Sequence, residues 1–175
     1  MNKLRALEKL TNEAVKNGHH GLFTTHDLAL MLRTTPDASF RKYLYSSVKA
    51  GALNKVATNI YYNPASNIIR TFVLERIAKL LHWDKFIYVS LETQLSHLGL
   101  ISQVPIKHLT VMTTGRKGEI KTYFGVIEFT HTARSLASLQ EGVYFDPDAG
   151  IYRATQQRAI QDLKRVGRNI EMLQE

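Results

Sequence analysis

Between residues 24 and 62 the chain sets two short apolar-striped segments on either side of the polar break Arg33-Thr34-Thr35-Pro36. A glycine and two short strand-like runs follow the second. Few folds accept that order. Upstream, Leu4, Leu7, Leu10 and Ala14 recur at helical spacing across residues 3–17 with charged residues between them, which predicts an amphipathic helix ended by Gly18. Gly21-Leu22-Phe23 reads as a short apolar link. Thr24 or Thr25 then caps a second helix that buries Leu28, Ala29 and Leu32. Pro36 suits the first turn of a third helix, residues 37–50. Phe40, Leu44 and Val48 recur every fourth residue as its inner stripe, and Ser39, Arg41, Lys42, Tyr45, Ser46 and Lys49 make its outer face.

Gly51 closes that helix, and residues 53–56 and 60–62 flank Ala57-Thr58-Asn59 as a β-hairpin. Two short helices joined by a tight turn, the second basic outside and followed by a hairpin, form a winged helix-turn-helix pattern. Residues 1–64 are therefore expected to be a winged helix-turn-helix domain that binds double-stranded DNA. The third helix would enter the major groove with Ser39, Arg41, Lys42, Tyr45, Ser46 and Lys49. Lys55, Thr58 and Asn59 from the wing would reach an adjacent phosphate or the minor groove. Taken alone, the cations on the third helix are equally a solvated face; the order of the elements is what favours DNA.

The charge agrees in direction. The chain carries 23 Lys+Arg against 15 Asp+Glu, a net +8. Nine of those cations and only four acids fall in residues 1–64, so the denser excess lies there. A positive field attracts polyanions. The absence of cysteine excludes disulfides and thiolate metal sites. His19, His20 and His26 lack a second cluster at ligand spacing, so neither a metal nor a cofactor is expected. No apolar run approaches the roughly 20 residues of a membrane helix, and the first residues lead into an amphipathic pattern, not a signal peptide. The expectation is a cytoplasmic protein with no membrane partner.

After the linker Asn63-Pro64-Ala65-Ser66, residues 66–175 read as a small α+β domain with a mostly antiparallel sheet. Ser66 or Asn67 is expected to cap a helix over 68–81, residues 86–89 to form a buried strand, and Ser90 to cap a helix over 91–98 ended by Gly99. Strands follow at 109–113, 119–123 and 126–130, then a hairpin of 143–145 and 151–153, then a helix from about Thr155 that buries Ala159, Ile160, Leu163 and Val166.

Three fragments look enzyme-like and each has a plainer reading. Thr113-Thr114-Gly115-Arg116-Lys117-Gly118 suggests a phosphate loop but lacks the second Gly-Lys-Ser/Thr and a helix behind it, so a basic hairpin turn is favoured. Glu119-Ile120-Lys121 has the Glu-x-Lys spacing of some Mg²⁺-dependent nucleases, with Asp84 the nearest candidate for the required second acid. Alternating charges on an exposed strand explain the same letters. His82, His97, His108 and His131 have neither metalloprotease spacing nor a nucleophile elbow beside them, so no catalytic residue is assigned.

A family resemblance covers nearly the whole chain. The segment Tyr88-Val89-Ser90-Leu91-Glu92-Thr93-Gln94-Leu95, continuing to Gly99-Leu100-Ile101, resembles a Y-[IV]-S-L-E-S-A-L…G-L-I segment of AbiEi-type antitoxins of type IV toxin–antitoxin systems. Val111-Met112-Thr113-Thr114-Gly115-Arg116 and Phe124-Gly125-Val126-Ile127-Glu128-Phe129 are similar to two of that family's strands. Tyr152-Arg153-Ala154-Thr155 leads into a helix like the family's R-I-A-T-P-E-K-A-L-x-D-L, with Gln156 and Gln157 in place of Pro-Glu. The segments 51–56 and 61–64 look like its winged helix.

The resemblance implies a non-enzymatic antitoxin that represses its own operon by binding promoter inverted repeats, as a monomer or weak dimer that pairs on DNA. It also implies a cognate nucleotidyltransferase-like toxin, neutralised with or without direct contact. Arg116, Lys117 and Lys121 are the candidate toxin-neutralising residues. Two other functions compete with this reading: a Mg²⁺-dependent nuclease targeted by the winged helix, and a protein-interaction module that binds no DNA.

Overall fold

The computed structural model describes residues 2–102 and 106–173 and shows an α+β protein. The contacts divide it into two units, residues 1–71 and residues 72–175.

In the first unit Asn2 caps α1 (Lys3–Lys16), accepting from the Leu4 N–H. Its face packs through Leu7, which is fully buried. The short apolar link before the second helix contains a two-residue strand, β1 (Phe23–Thr24), which its sequence does not signal. Thr24 then caps α2 (Thr25–Met31) in a reciprocal box: its hydroxyl accepts from the Asp27 N–H, and the Asp27 carboxylate accepts from the Thr24 N–H. The helix α3 spans Ala38–Lys49. Its cap is Asp37, whose carboxylate accepts from the Phe40 N–H at 2.8 Å, so Pro36 lies one residue before the cap and not in the first turn. Gly51, at φ +77°, turns the chain so that the Ala52 N–H reaches the Ser47 carbonyl.

The strands β2 (Asn54–Ala57) and β3 (Ile60–Tyr62) follow, and the antiparallel sheet has the order β1-β3-β2. Asn59 takes the left-handed conformation at φ +60° in the β2–β3 turn, a role often filled by glycine. The core joins all three helices and the sheet through Leu7, Phe23, Leu28, Ala29, Phe40, Leu44 and Leu53. Full burial of Leu44 alone contributes about 1.5–3 kcal/mol.

The segment 63–71 is irregular and held to this first unit. Asn63 is buried and donates to the Glu8 carbonyl and the Thr11 hydroxyl. The Ser66 hydroxyl, expected to cap a helix, instead donates to the Asn63 carbonyl at 2.7 Å. The helix expected from Ile68 therefore begins only at Val73, after Phe72 at φ +56°.

The second unit contains α4 (Val73–Leu81), β4 (Ile87–Val89), α5 (Leu91–His97), β5 (His108–Thr113), β6 (Gly118–Thr122), β7 (Gly125–His131), α6 (Leu136–Glu141), β8 (Val143–Asp146), β9 (Ile151–Ala154) and α7 (Gln156–Val166), with a final 3₁₀ turn at Ile170–Met172. The sheet order is β6-β7-β5-β4-β9-β8. Three pairings are antiparallel, but β5 with β7 and β4 with β9 are parallel, so the sheet is mixed. Gly125 begins β7 where the chain passes close to Lys107, and any Cβ there would run into the Lys107 carbonyl. The core gathers Tyr88, Leu91, Leu95, Met112, Leu139, Ala159 and Leu163 from the sheet, α5, α6 and α7. Among the described residues no helix is long and apolar enough to cross a membrane.

Candidate nucleic-acid interface

The geometry of α3 follows from its own sequence. Phe40 and Leu44 are buried four residues apart, with Ser47 beside them donating to the Tyr43 carbonyl. That choice turns Ser39, Arg41, Lys42, Tyr45, Ser46 and Lys49 outward, and all six are exposed. Among the described residues Arg41, Lys42 and Lys49 form no ion pair with an acid, although the Arg41 charge contributes a little to lowering the Asp37 carboxyl. The Lys49 ammonium lies 4.8 Å from the centre of the Tyr45 ring, and that ring is 62% exposed. The Ser46 hydroxyl is turned back onto the Lys42 carbonyl at 3.2 Å. The backbone N–H of Phe40 holds the Asp37 carboxyl below its ordinary range, so the start of α3 stays firmly capped by an anion.

Lys55 and Thr58 are exposed on the β2–β3 hairpin. Asn59 is exposed as well, yet its side-chain oxygen accepts from the Thr25 hydroxyl at 3.4 Å and its carbonyl from the Thr25 N–H at 3.0 Å. It therefore ties the tip of the hairpin to the start of α2. Arg33, exposed at φ +52° in the turn ahead of α3, is a further cation that the helical pattern did not single out.

In the second unit Arg116 and Lys117 are exposed in the β5–β6 turn and Lys121 on β6. Glu119 stands opposite Glu128 on β7. Glu128 is already held by His108 and by the Arg168 guanidinium, while Asp84 pairs with Lys85 at 3.1 Å. Among the described residues no group of three or more His, Asp and Glu side chains is placed to hold a metal ion. The histidines have local partners: His82 stacks on Phe129 at 3.9 Å and meets the Thr113 hydroxyl, and His131 meets the Gly115 carbonyl.

Sequence reasoning missed the buried charges of this unit. Asp162 is fully buried and accepts from the Tyr88 and Ser90 hydroxyls, with Arg134 3.6 Å away. Ser90 occupies the N-cap position of α5 as expected, but its hydroxyl donates to Asp162 and makes no capping bond. Burial raises the Asp162 carboxyl above its usual value, and burial together with the Asp162 charge raises the Tyr88 hydroxyl. Arg153 joins Asp146 and Glu75, and Arg168 joins Glu92 and Glu128. Asp146 and Arg153 are seven residues apart on the β8–β9 hairpin, but Glu92 and Glu128 lie 76 and 40 residues from Arg168, so no local pattern signals those two pairs.

No protein-family model matches this chain, and no curated protein matches it.

Proposed function

We propose that the first unit is a winged helix-turn-helix that binds double-stranded DNA, and that the chain is a transcriptional autorepressor and antitoxin of a type IV toxin–antitoxin system. The observation that carries the DNA reading is the exposed polar and cationic face of α3, which follows a tight turn and precedes a hairpin. A helix of this width enters the major groove. There the Arg41 fork can pair with a base edge or phosphate, and Lys42 and Lys49 neutralise the backbone. Lys55 and Thr58 would contact the flanking phosphates as the wing. Inverted repeats would be met by two copies that pair on the DNA.

The antitoxin half rests on the resemblance to AbiEi-type antitoxins. Arg116, Lys117 and Lys121, all exposed, are the side chains proposed to act against a nucleotidyltransferase-like toxin. No step of this function requires a cofactor.

The test is a gel shift of the full chain on the DNA upstream of its own coding sequence. A shift that Arg41→Ala/Lys42→Ala abolishes, at unchanged melting temperature, supports the reading. An intact shift in that variant moves the interface off α3, and no shift by the unaltered protein overturns DNA binding. Antitoxicity is checked by co-expression with the toxin encoded beside it, where loss of growth rescue in Arg116→Ala/Lys117→Ala/Lys121→Ala is expected.

A further inference from the structure

The end of α4, the segment after it and the β8–β9 hairpin line an open cavity of about 240 Å³ within the second unit. Its lining includes Lys79, His82, Trp83, Phe86, Phe145 and Tyr152. Three of its rings are left open to solvent: Trp83 is 82% exposed, Phe145 53% and Tyr152 41%. Tyr152 is the centre of the wall, 5.2 Å from the Phe86 ring and 5.3 Å from the edge-on Phe145 ring. Single exposed apolar side chains are ordinary, but a cluster of aromatic rings around a concavity marks a binding surface.

Cations stand at the same place. Lys79 is exposed, and its ammonium lies 3.5 Å from where a Cβ on Gly150 would sit, over backbone that carries no side chain. Lys85, paired with Asp84 and about half exposed, lines the cavity too. The basic β5–β6 turn packs against this side: a Cβ on Gly115 would meet Lys85 Cγ at 2.8 Å and His82 Nδ1 at 3.1 Å, and Arg116 and Lys117 follow directly. Burial lowers the pKa of the His82 imidazole, whose Nδ1 lies at the Thr113 hydroxyl, so its charged form is disfavoured there.

We infer that this cavity binds a nucleotide, with the base stacked on the exposed aromatic wall and the phosphate drawn to Lys79. Aromatic side chains stack any base, because every base has a π-face. A cavity of this size falls below the range of pockets for drug-sized ligands and suits one planar ring system with its phosphate left at the rim. Rings alone would equally fit a protein partner, but lysine is depleted in protein–protein interface cores, and here it lines the concavity. The inference stands apart from duplex binding by α3, which uses the other unit. The same chemistry is presented by a free mononucleotide and by an unpaired nucleotide in a single strand.

Trp83 is the sole tryptophan of the chain, so its intrinsic fluorescence reports on this cavity alone. The full chain is titrated with the four ribonucleoside monophosphates and, separately, with a short oligothymidylate. Saturable quenching that weakens with added salt is expected. Lys79→Glu should weaken it by about tenfold or more, the worth of one charge-assisted contact, and Tyr152→Ala should do likewise. Arg41→Ala/Lys42→Ala should leave it unchanged. Quenching by the monophosphates identifies a free nucleotide as the ligand, and quenching by the oligonucleotide alone identifies a single strand. No saturable quenching by any of them at millimolar concentration overturns the inference and leaves the aromatic wall to a protein partner. Quenching that Lys79→Glu does not alter overturns it as well. Lys79 is an exposed side chain, so this variant decides the matter even where Tyr152→Ala fails to fold.

Discussion

The first unit buries the neutral polar side chains of Thr11, Thr25, Ser47, Asn63 and Ser66 and, among the described residues, no charged one. The second buries Glu92, Arg153, Arg158 and Asp162. In the first unit an apolar core and local caps define the fold, and the cations of α3 remain outside, available to a partner. In the second, a good part of the charge is spent within the fold. Arg153 is held by Asp146 and Glu75, Arg168 spans Glu92 and Glu128, and Asp162 collects two hydroxyls and faces Arg134. A count of positive residues therefore means different things in the two units. The cations proposed to bind DNA are ones that no acid pairs with among the described residues.

Asp162→Ala should break this contrast most strongly. It leaves the Tyr88 and Ser90 hydroxyls and a nearby guanidinium without their acceptor, and disrupting a buried charged network of this kind costs about 3–5 kcal/mol. Denaturant melts should show the second unit unfolding earlier while the duplex binding proposed for the first survives. An unchanged midpoint would mean that the buried charge does not organise the second unit.

Leu44→Ala is the corresponding lesion in the first unit. Truncating a fully buried leucine costs about 2–5 kcal/mol, and here duplex binding should fall together with stability. Melts of the second unit followed by Trp83 fluorescence should not move.

Acid sharpens the comparison by a smaller amount. Burial alone would raise the Glu92 carboxyl, but hydrogen bonds from Arg168 and Asn169 outweigh it, and its folded value lies below the ordinary 4.5. The stability it contributes is therefore present above pH 4.5 and is lost as pH falls through the depressed folded value. Asp146, held down by Arg153, acts in the same direction. Asp162, raised by burial, acts in the opposite one, since protonation relieves its cost. In urea melts across this range Arg168→Ala should flatten the acid loss of the second unit; a loss unchanged in that variant would contradict the assignment to Glu92.

Thr24→Ala is the smallest change. It removes the hydroxyl half of the α2 capping box and should lower the stability of the first unit by about 1 kcal/mol, read from its thermal midpoint. No change would show that the neighbouring strand contacts, not the cap, hold the start of α2.

The same contrast explains what the sequence made legible. From α1 to β3 the signals are local: Thr24 as a cap, Phe40 and Leu44 as a stripe, Gly51 as a stop. Element ends fall close to where they were expected, and the α3 face could be named because helical geometry alone turns it outward. Local signals also mislead. Ser66 reads as a helix cap until Asn63 is seen to claim its hydroxyl. In the second unit the decisive contacts are distant. Tyr88 lies beside Tyr152 through a parallel pairing that no short-range pattern announces. The helix α6 was missed because only Leu139 of its six residues is buried, which leaves no periodicity to read. The aromatic cavity joins α4 to a hairpin far along the chain, so its residues are scattered in the sequence.

The duplex binding proposed for α3 depends on Arg41, Lys42 and Lys49, which form no ion pair with an acid among the described residues. The most direct measurement is fluorescence anisotropy of a labelled duplex from the protein's own upstream region, titrated with the full chain over a series of salt concentrations. If α3 enters the groove, affinity falls linearly on logarithmic axes with a slope of about −0.9 per neutralised phosphate. In Arg41→Ala/Lys42→Ala the slope should be shallower by about one to two. A slope that this variant leaves unchanged, or an unaltered protein that does not bind the duplex at any salt concentration, would contradict it.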